Sequence, residues 1–192
     1  MTKETSALIA GGPVQGLDTK KDRSRRPPTL TPRPDEVPII LAAHPQWVRW
    51  RWSWADKQQK WTKVPIHPSS SRNASSTDPA TWGKFETVVA NLRLHDVDGI
   101  GFVFTANDPF CGVDLDLCRD PATGELSEMA RSVVEELQGY SEVSVTGTGV
   151  HVIVRASLGC HGGMKSKHVE VYDRGRYFAV SGHPLARPGA AK

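Results

Sequence analysis

Cys111-Gly112-Val113-Asp114-Leu115-Asp116-Leu117-Cys118, near the middle of the 192-residue chain, alternates as a strand does. Val113, Leu115 and Leu117 fall on one face, Asp114 and Asp116 on the other. At a rise of about 3.3 Å per residue the two carboxylates leave the backbone roughly 7 Å apart, close enough to converge on one or two divalent cations. Without a cation they repel and raise one another's pKa; a hard ion with oxygen ligands removes that cost. The pattern suits a metal site, and it equally suits a half-exposed strand with two solvated acids.

The bounds around this stretch are those of one globular unit. A chain of 192 residues can bury a real core, and its apolar runs are too short for a signal peptide or a membrane span. Three unevenly spaced cysteines make no disulfide framework, which points to a reducing, cytoplasmic location. Residues 1–36 hold seven Lys/Arg against five Asp/Glu, leaving 17 against 16 in the remainder, so the globular part is nearly neutral. Its composition alone does not argue for nucleic acid.

Residues 1–36 lack an apolar period and are rich in Gly, Pro, Thr, Lys and Arg, which predicts a disordered tail. The domain is expected over 37–187, with a short tail at 188–192. Trp47–Trp52 and Trp61–Ile66 read as a hairpin, with the tryptophans in the core. Arg49, Arg51 and Lys63 are either phosphate-facing or simply solvated. Asp78-Pro79 predicts a helix start, continuing to about Leu92. Gly99–Phe104 is a strand, and Asn107-Asp108-Pro109 turns it into the Asp-x-Asp strand as a second hairpin. A helix follows from about Ser127 to Gln138, stopped by Gly139. Then come strands at Glu142–Val145 and Val150–Arg155, and a last hairpin around Asp173-Arg174-Gly175. Strands before, between and after two helices indicate an α/β or α+β sheet domain.

Two further clusters carry chemistry. Ser144-Val145-Thr146-Gly147-Thr148-Gly149-Val150-His151 places a glycine-rich turn between strands, where backbone N–H groups can bind phosphate oxygens. It is no dinucleotide fingerprint, since the third glycine is missing, and Gly159–Ser166 is no P-loop, since Met164 replaces the glycine before Lys165. His168-Val169-Glu170-Val171-Tyr172-Asp173 puts Glu170 on a face with His168 and Tyr172, where it could join Asp114 and Asp116 at a metal. Ordinary strand polarity explains His151 and Glu170 as well. A zinc site from Cys111, Cys118, Cys160 and His161 lacks any paired CxxC, so plain thiols are expected.

Taken in order, "KVP" after the Trp-rich start, "DPATW", "DGIGFVF", "GVDLDLC", "YSEVSVTGTGVH" and "EVY" leading to "RYFAVSGH" resemble the archaeo-eukaryotic primase superfamily. The likeness is nearest to the bifunctional primase–polymerases of phages and plasmids and covers roughly 38–186. It implies an α+β protein: an RRM-like primase–polymerase catalytic fold with a small N-terminal α/β module, the active site between them. It further implies template-dependent nucleotidyl transfer with two Mg2+ or Mn2+ ions held by Asp114, Asp116 and Glu170, which with His151 form the catalytic set. Ser144, Thr146, Gly147, Thr148, Gly149 and His151 would hold the nucleotide. Lys63 and Arg176, with Arg174, are candidate phosphate or template contacts. Where the family commonly reads Ser-Pro-Ser-Gly-x-Gly, this chain has Val145 and Thr146 in the second and third positions. The implied partners are a single-stranded DNA template, dNTP or NTP, and a replicative helicase encoded separately, with no membrane. The alternatives are a metal-dependent nuclease and a noncatalytic replication module that binds nucleic acid.

Overall fold

A computed structural model describes residues 21–94, 96–159 and 163–185. Among the described residues nine strands form two antiparallel sheets, with three short α-helices among them, so the α+β reading holds at that level. The first sheet has the order β2-β1-β3-β9: β1 (Trp47–Ala55), β2 (Lys60–Ile66), β3 (Gly99–Phe104) and β9 (Arg176–Val180). The second has the order β5-β6-β4-β8-β7: β4 (Phe110–Leu115), β5 (Tyr140–Val143), β6 (Val150–Arg155), β7 (Met164–Lys165) and β8 (Val169–Tyr172). Helices α1 (Ile39–Ala42), α2 (Phe85–Ala90) and α3 (Glu128–Leu137) fill the remaining faces.

The Trp-rich hairpin forms as its alternation requires, with Trp52 opposite Lys63 and Trp54 opposite Trp61. Trp47 and Trp50 are fully buried. Each such ring buries about 150–250 Å², at most about 4–6 kcal/mol of transfer free energy. Arg49 is neither phosphate-facing nor solvated. It is fully buried, and its guanidinium donates to the carbonyls of His67, Ser70, Asn91 and Leu94 at 2.7–3.1 Å. It thus ties the loop after β2 to the chain leaving α2, a structural cation among backbone carbonyls.

Neither of the two later hairpins exists. Strand β3 pairs with β1 and β9, whereas β4 pairs with β6 and β8, so the turn between β3 and β4 carries the chain from one sheet to the other. Asp108 organises that crossing: its carboxylate accepts from the Thr105 amide (2.7 Å), the Phe110 amide (2.8 Å) and the Gln46 side chain (2.7 Å). Asp173-Arg174-Gly175 is the return crossing, from β8 to β9, and the Gly175 amide bonds the Phe104 carbonyl beside the first one. Sequence periodicity reports strand faces but not which sheet a strand joins.

The helix expected from Pro79 to Leu92 is split. Pro79–Thr81 is a single 3-10 turn capped by Asp78, then Gly83 leaves to pair with Trp47, and α2 starts at Phe85. Helix α3 matches its pattern, with Ser127 accepting from the Ala130 amide at its start. Gln138, not Gly139, takes the left-handed cap position. Its apolar stripe, Ala130, Val133 and Val134, covers one face of the second sheet at Val113, Leu115, Val150 and Val152.

Order begins well before residue 37. The described segment 22–36 straps the first sheet: Trp61 donates to the Asp22 carbonyl, Trp52 to the Thr29 hydroxyl, the Leu30 amide to Val145 and the Arg33 amide to Ser181. Arg26 pairs with Asp98, which also accepts from the Trp52 amide at 2.7 Å. A sheet face carrying several tryptophans needs cover, and this segment provides it without an apolar period of its own. Residues 1–20 and the tail 188–192 lie outside the described residues.

Candidate active site

Cross-strand register assembles the site. Asp114 on β4 lies opposite His151 on β6 and opposite Glu170 on β8. His151 in turn lies opposite Glu142 on β5, and Glu170 opposite Lys165 on β7. Directly opposed residues project on one face, so Glu142, His151, Asp114, Glu170 and Lys165 form a single polar row across all five strands. The reverse face is the apolar one under α3. Gly112 lets the front face approach the first sheet: a Cβ there would stand 2.5 Å from both the Phe104 and Phe178 rings.

The row passes from core to solvent. Glu142 is fully buried and accepts from the Ser181 amide (3.1 Å), the Gly182 amide (2.9 Å) and the Tyr140 hydroxyl (2.9 Å). Burial, with the Glu142 charge beside it, pushes the Tyr140 phenol far up, which keeps it a donor. His151, 1% exposed, stacks on Phe178 with ring centroids 4.9 Å apart. Its Nδ1 lies 3.0 Å from Glu142 Oε1, and its Nε2 lies 3.6 Å from Asp114 Oδ1. The Asp114 and Glu170 side chains are each 22% exposed and open onto a cleft of about 440 Å³. Lys63, Lys165, Tyr172, Arg176 and Tyr177 line the same cleft. Burial alone would raise the Glu170 carboxyl, but the Lys165 ammonium and the Tyr172 hydroxyl outweigh it and hold it below the ordinary value.

The structure therefore brings Asp114, Glu170, Lys63 and Arg176 to one cleft and sets His151 behind Asp114. Asp116 lies one residue beyond β4, where its amide bonds the His168 carbonyl and Leu117, at φ 52°, turns the chain. Leu117 is accordingly exposed, not on the buried face its alternation predicts. The Ser144–Gly149 turn packs against that strand end: Arg119 bonds the carbonyls of Gly147 and Thr148, and Gly149 lies too close to the Leu115 carbonyl to carry a side chain. Its donors are partly spent within the turn, since the Gly147 amide bonds the Ser144 carbonyl and the Gly149 amide the Ser144 hydroxyl. The Ser144, Thr146 and Thr148 hydroxyls also bond one another. Arg174 is drawn to Asp173 and the Gly159 carbonyl, not to the cleft.

The donor chemistry fits a hard divalent cation. Two carboxylates reach the cleft from adjoining strands, and an ammonium, Lys165, already stands on one of them. Among the described residues no three or more His, Cys, Asp or Glu side chains gather as a metal site. Mg2+ commonly takes one or two carboxylates and completes its shell with water and substrate phosphate, which these two acids allow. Cys111 and Cys118 are buried free thiols, and burial pushes Cys118 up to about 11. Cys160 and His161 lie outside the described residues. A larger cavity, about 590 Å³ and lined by Glu36, Val134, Tyr140, Ser141 and Leu185 among others, takes in none of the expected site residues.

Sequence reasoning missed Glu142 and Lys165. An acid at one parity of a buried strand, directly before the turn to His151, was the available signal for Glu142; Lys165 had none beyond its place after Met164.

No helix among the described residues is long and apolar enough to cross a membrane. No family model matches the chain. The chain is 37% identical over 154 residues to a DNA primase-polymerase of Nitratiruptor phage NrS-1, a match over 77% of this chain and 21% of that protein. It thus spans about a fifth of the length of the curated relative it matches.

Proposed function

We propose that the chain is the nucleotidyltransferase unit of a primase–polymerase, joining dNTPs or NTPs on a single-stranded DNA template. The observation that carries this reading is the row in which Asp114 stands in register between His151 and Glu170 at the mouth of a basic-walled cleft. The 37% identity to a phage DNA primase-polymerase supports it. In this reading the second sheet with α3 is the RRM-like catalytic unit, and the first sheet with its short helices is the smaller module.

Asp114 and Glu170, with Asp116 at the strand end, would hold Mg2+ or Mn2+, an ion that would supply Lewis acidity toward the attacking 3′-hydroxyl and counter-charge for the triphosphate. Lys63, Arg176 and Lys165 present cations to the phosphates from three strands. His151 stands directly behind Asp114, on the strand that borders it. The Ser144–Gly149 turn braces the end of β4 at Asp116. A replicative helicase as partner and a cytoplasmic setting belong to this reading.

The test is primer synthesis and extension on single-stranded DNA with Mg2+ and Mn2+ in parallel. Wild type should make product, and Asp114→Asn or Asp116→Asn should abolish it. DNA binding without metal should survive both changes, since template affinity comes from cationic contacts. Salt-dependent DNA binding by a wild type that makes no product with either metal would replace the enzyme with an accessory binding module. Strand cleavage in place of extension would make it a nuclease.

A further inference from the structure

We propose that the tip of the β1–β2 hairpin and the strap beside it form a single-stranded DNA-binding surface that continues the cleft outward along β2; this rests on the reading of single-stranded DNA as the template. Positive charge is concentrated there. Residues 21–26 and 54–63 hold seven Lys/Arg against two Asp, which leaves 17 Lys/Arg against 19 Asp/Glu in the rest of the chain. The two segments meet in the fold: Trp61 Nε1 donates to the Asp22 carbonyl at 3.0 Å, and Arg23 pairs with Asp56 at 3.3 Å. Asp98 takes up Arg26, but Lys57 and Lys60 are exposed and form no ion pair among the described residues.

Aromatic surface accompanies the charge. Trp52 is buried beneath the strap, whereas Trp54 and Trp61 are half-buried. Trp61 has spent its one polar group on Asp22, and Trp54 meets it edge to face at 5.8 Å. The indole is thus held in place, and what it presents outward is ring surface. Fixed rings beside cations suit a single strand, whose bases stack on the rings while its phosphates meet the cations. A duplex keeps its bases stacked on one another and has no use for Trp61. The surface also runs into the cleft. Trp61, Lys63 and Pro65 share one face of β2, and Lys63 and Pro65 line the cleft onto which Asp114 opens. Trp61 stands about 7 Å beyond Lys63 along the strand, a span of about one or two nucleotides.

The experiment measures binding of a fluorescein-labelled oligo(dT) of about 16 nucleotides to the full chain by anisotropy, without metal, between about 50 and 200 mM salt. Wild type should bind, more weakly as salt rises. Lys57→Gln with Lys60→Gln should reduce the slope of log affinity against log salt by about 1.4, at about 0.7 per lost phosphate contact. Trp61→Leu should weaken binding about 5–100-fold at unchanged slope, and Trp61→Phe should restore most of it. Lys84→Gln, next to the Gly83–Trp47 bridge at the opposite end of β1, should change neither. Melting temperatures check that each variant folds; the lysine pair is exposed, so that arm stands even if Trp61→Leu does not fold. Wild-type affinity and slope in the lysine pair, an equal loss in Lys84→Gln, or equal wild-type affinity for a duplex of the same length overturns the proposal. Primer extension separates the two readings. A chain that binds in this way yet makes no product keeps the surface and loses the polymerase. Product from lysine-pair and Trp61→Leu chains that retain wild-type template affinity keeps the polymerase and loses the surface.

Discussion

Gly112→Ala tests the fold and the site at one position. The added Cβ would stand 2.5 Å from Phe104 Cζ, 2.5 Å from Phe178 Cε2 and 2.8 Å from Phe178 Cζ. Carbon atoms pack at about 3.5–4.0 Å, so one ring or both must retreat by about 1 Å. Neither has free room: Phe104 is fully buried and Phe178 is 5% exposed, and the two meet edge to face at 4.9 Å. Overpacking of this kind costs about 1–3 kcal/mol. Phe178 also carries His151, so the same displacement disturbs the imidazole behind Asp114, and an error of about 1 Å at a reacting site can cost about 10²-fold in rate. Urea denaturation should show the stability loss, and primer extension by the folded fraction should show the larger fractional loss in rate. Wild-type stability in Gly112→Ala would refute the close approach of the two sheets. A stability loss with unchanged specific activity would sever Phe178 and His151 from catalysis.

Removing residues 1–20 should leave the melting temperature unchanged, since their composition offers no apolar pattern. Removing 1–33 should cost at least about 2 kcal/mol as the strap bonds at Thr29, Leu30 and Arg33 are lost, about 4–8 °C by differential scanning fluorimetry; equal melting of the two truncations would contradict the strap. The Arg174 guanidinium beside buried Asp173 holds its carboxyl at about 2, below the ordinary 3.8. The unfolded chain therefore binds that proton more readily, and Asp173 contributes about 2 kcal/mol above pH 4 that is lost as pH falls through about 2. Asp173→Asn should be destabilised by that amount at pH 7 in urea melts and match wild type near pH 2, whereas a pH-independent difference would place the effect elsewhere. Lys165→Met should bind Mn2+ up to about fivefold more tightly by EPR, because the exposed ammonium no longer competes for Glu170; unchanged affinity would remove it as a counter-ion.

What the sequence revealed followed the reach of each signal. Alternation identified β1, β2, β3 and β4 and placed Asp114 and Glu170 on polar faces, because side-chain parity is a local property of the strand. The partners of those strands are not local. That β3 turns to β9 and β4 to β8 depends on Asp108 and Asp173, whose hydrogen bonds look in sequence like ordinary turn chemistry. Arg49 shows the same limit: alternation gives its face, but the carbonyls that hold it come from loops 18 to 45 residues away. The strap over the tryptophans was unreadable because its order comes from what it covers. Glu142 was hidden in another way. Its burial follows from the chain beyond β9 folding back onto β5, a contact across 39 residues.

The two crossings make the second sheet an insertion within the first: β4 to β8 are continuous in sequence, and β3 must wait for β9. During synthesis at about 5–20 residues per second, roughly 70 residues must emerge before that partner arrives, leaving β3 open on one side for several seconds. Its six residues are all buried in the finished protein, so until then they offer neighbouring chains an apolar template for pairing. The same late strand brings Phe178 to His151. Docking of β9 closes the vulnerable edge and completes the wall behind Asp114 in one event, so a chain stalled before residue 176 lacks both solubility and a formed site.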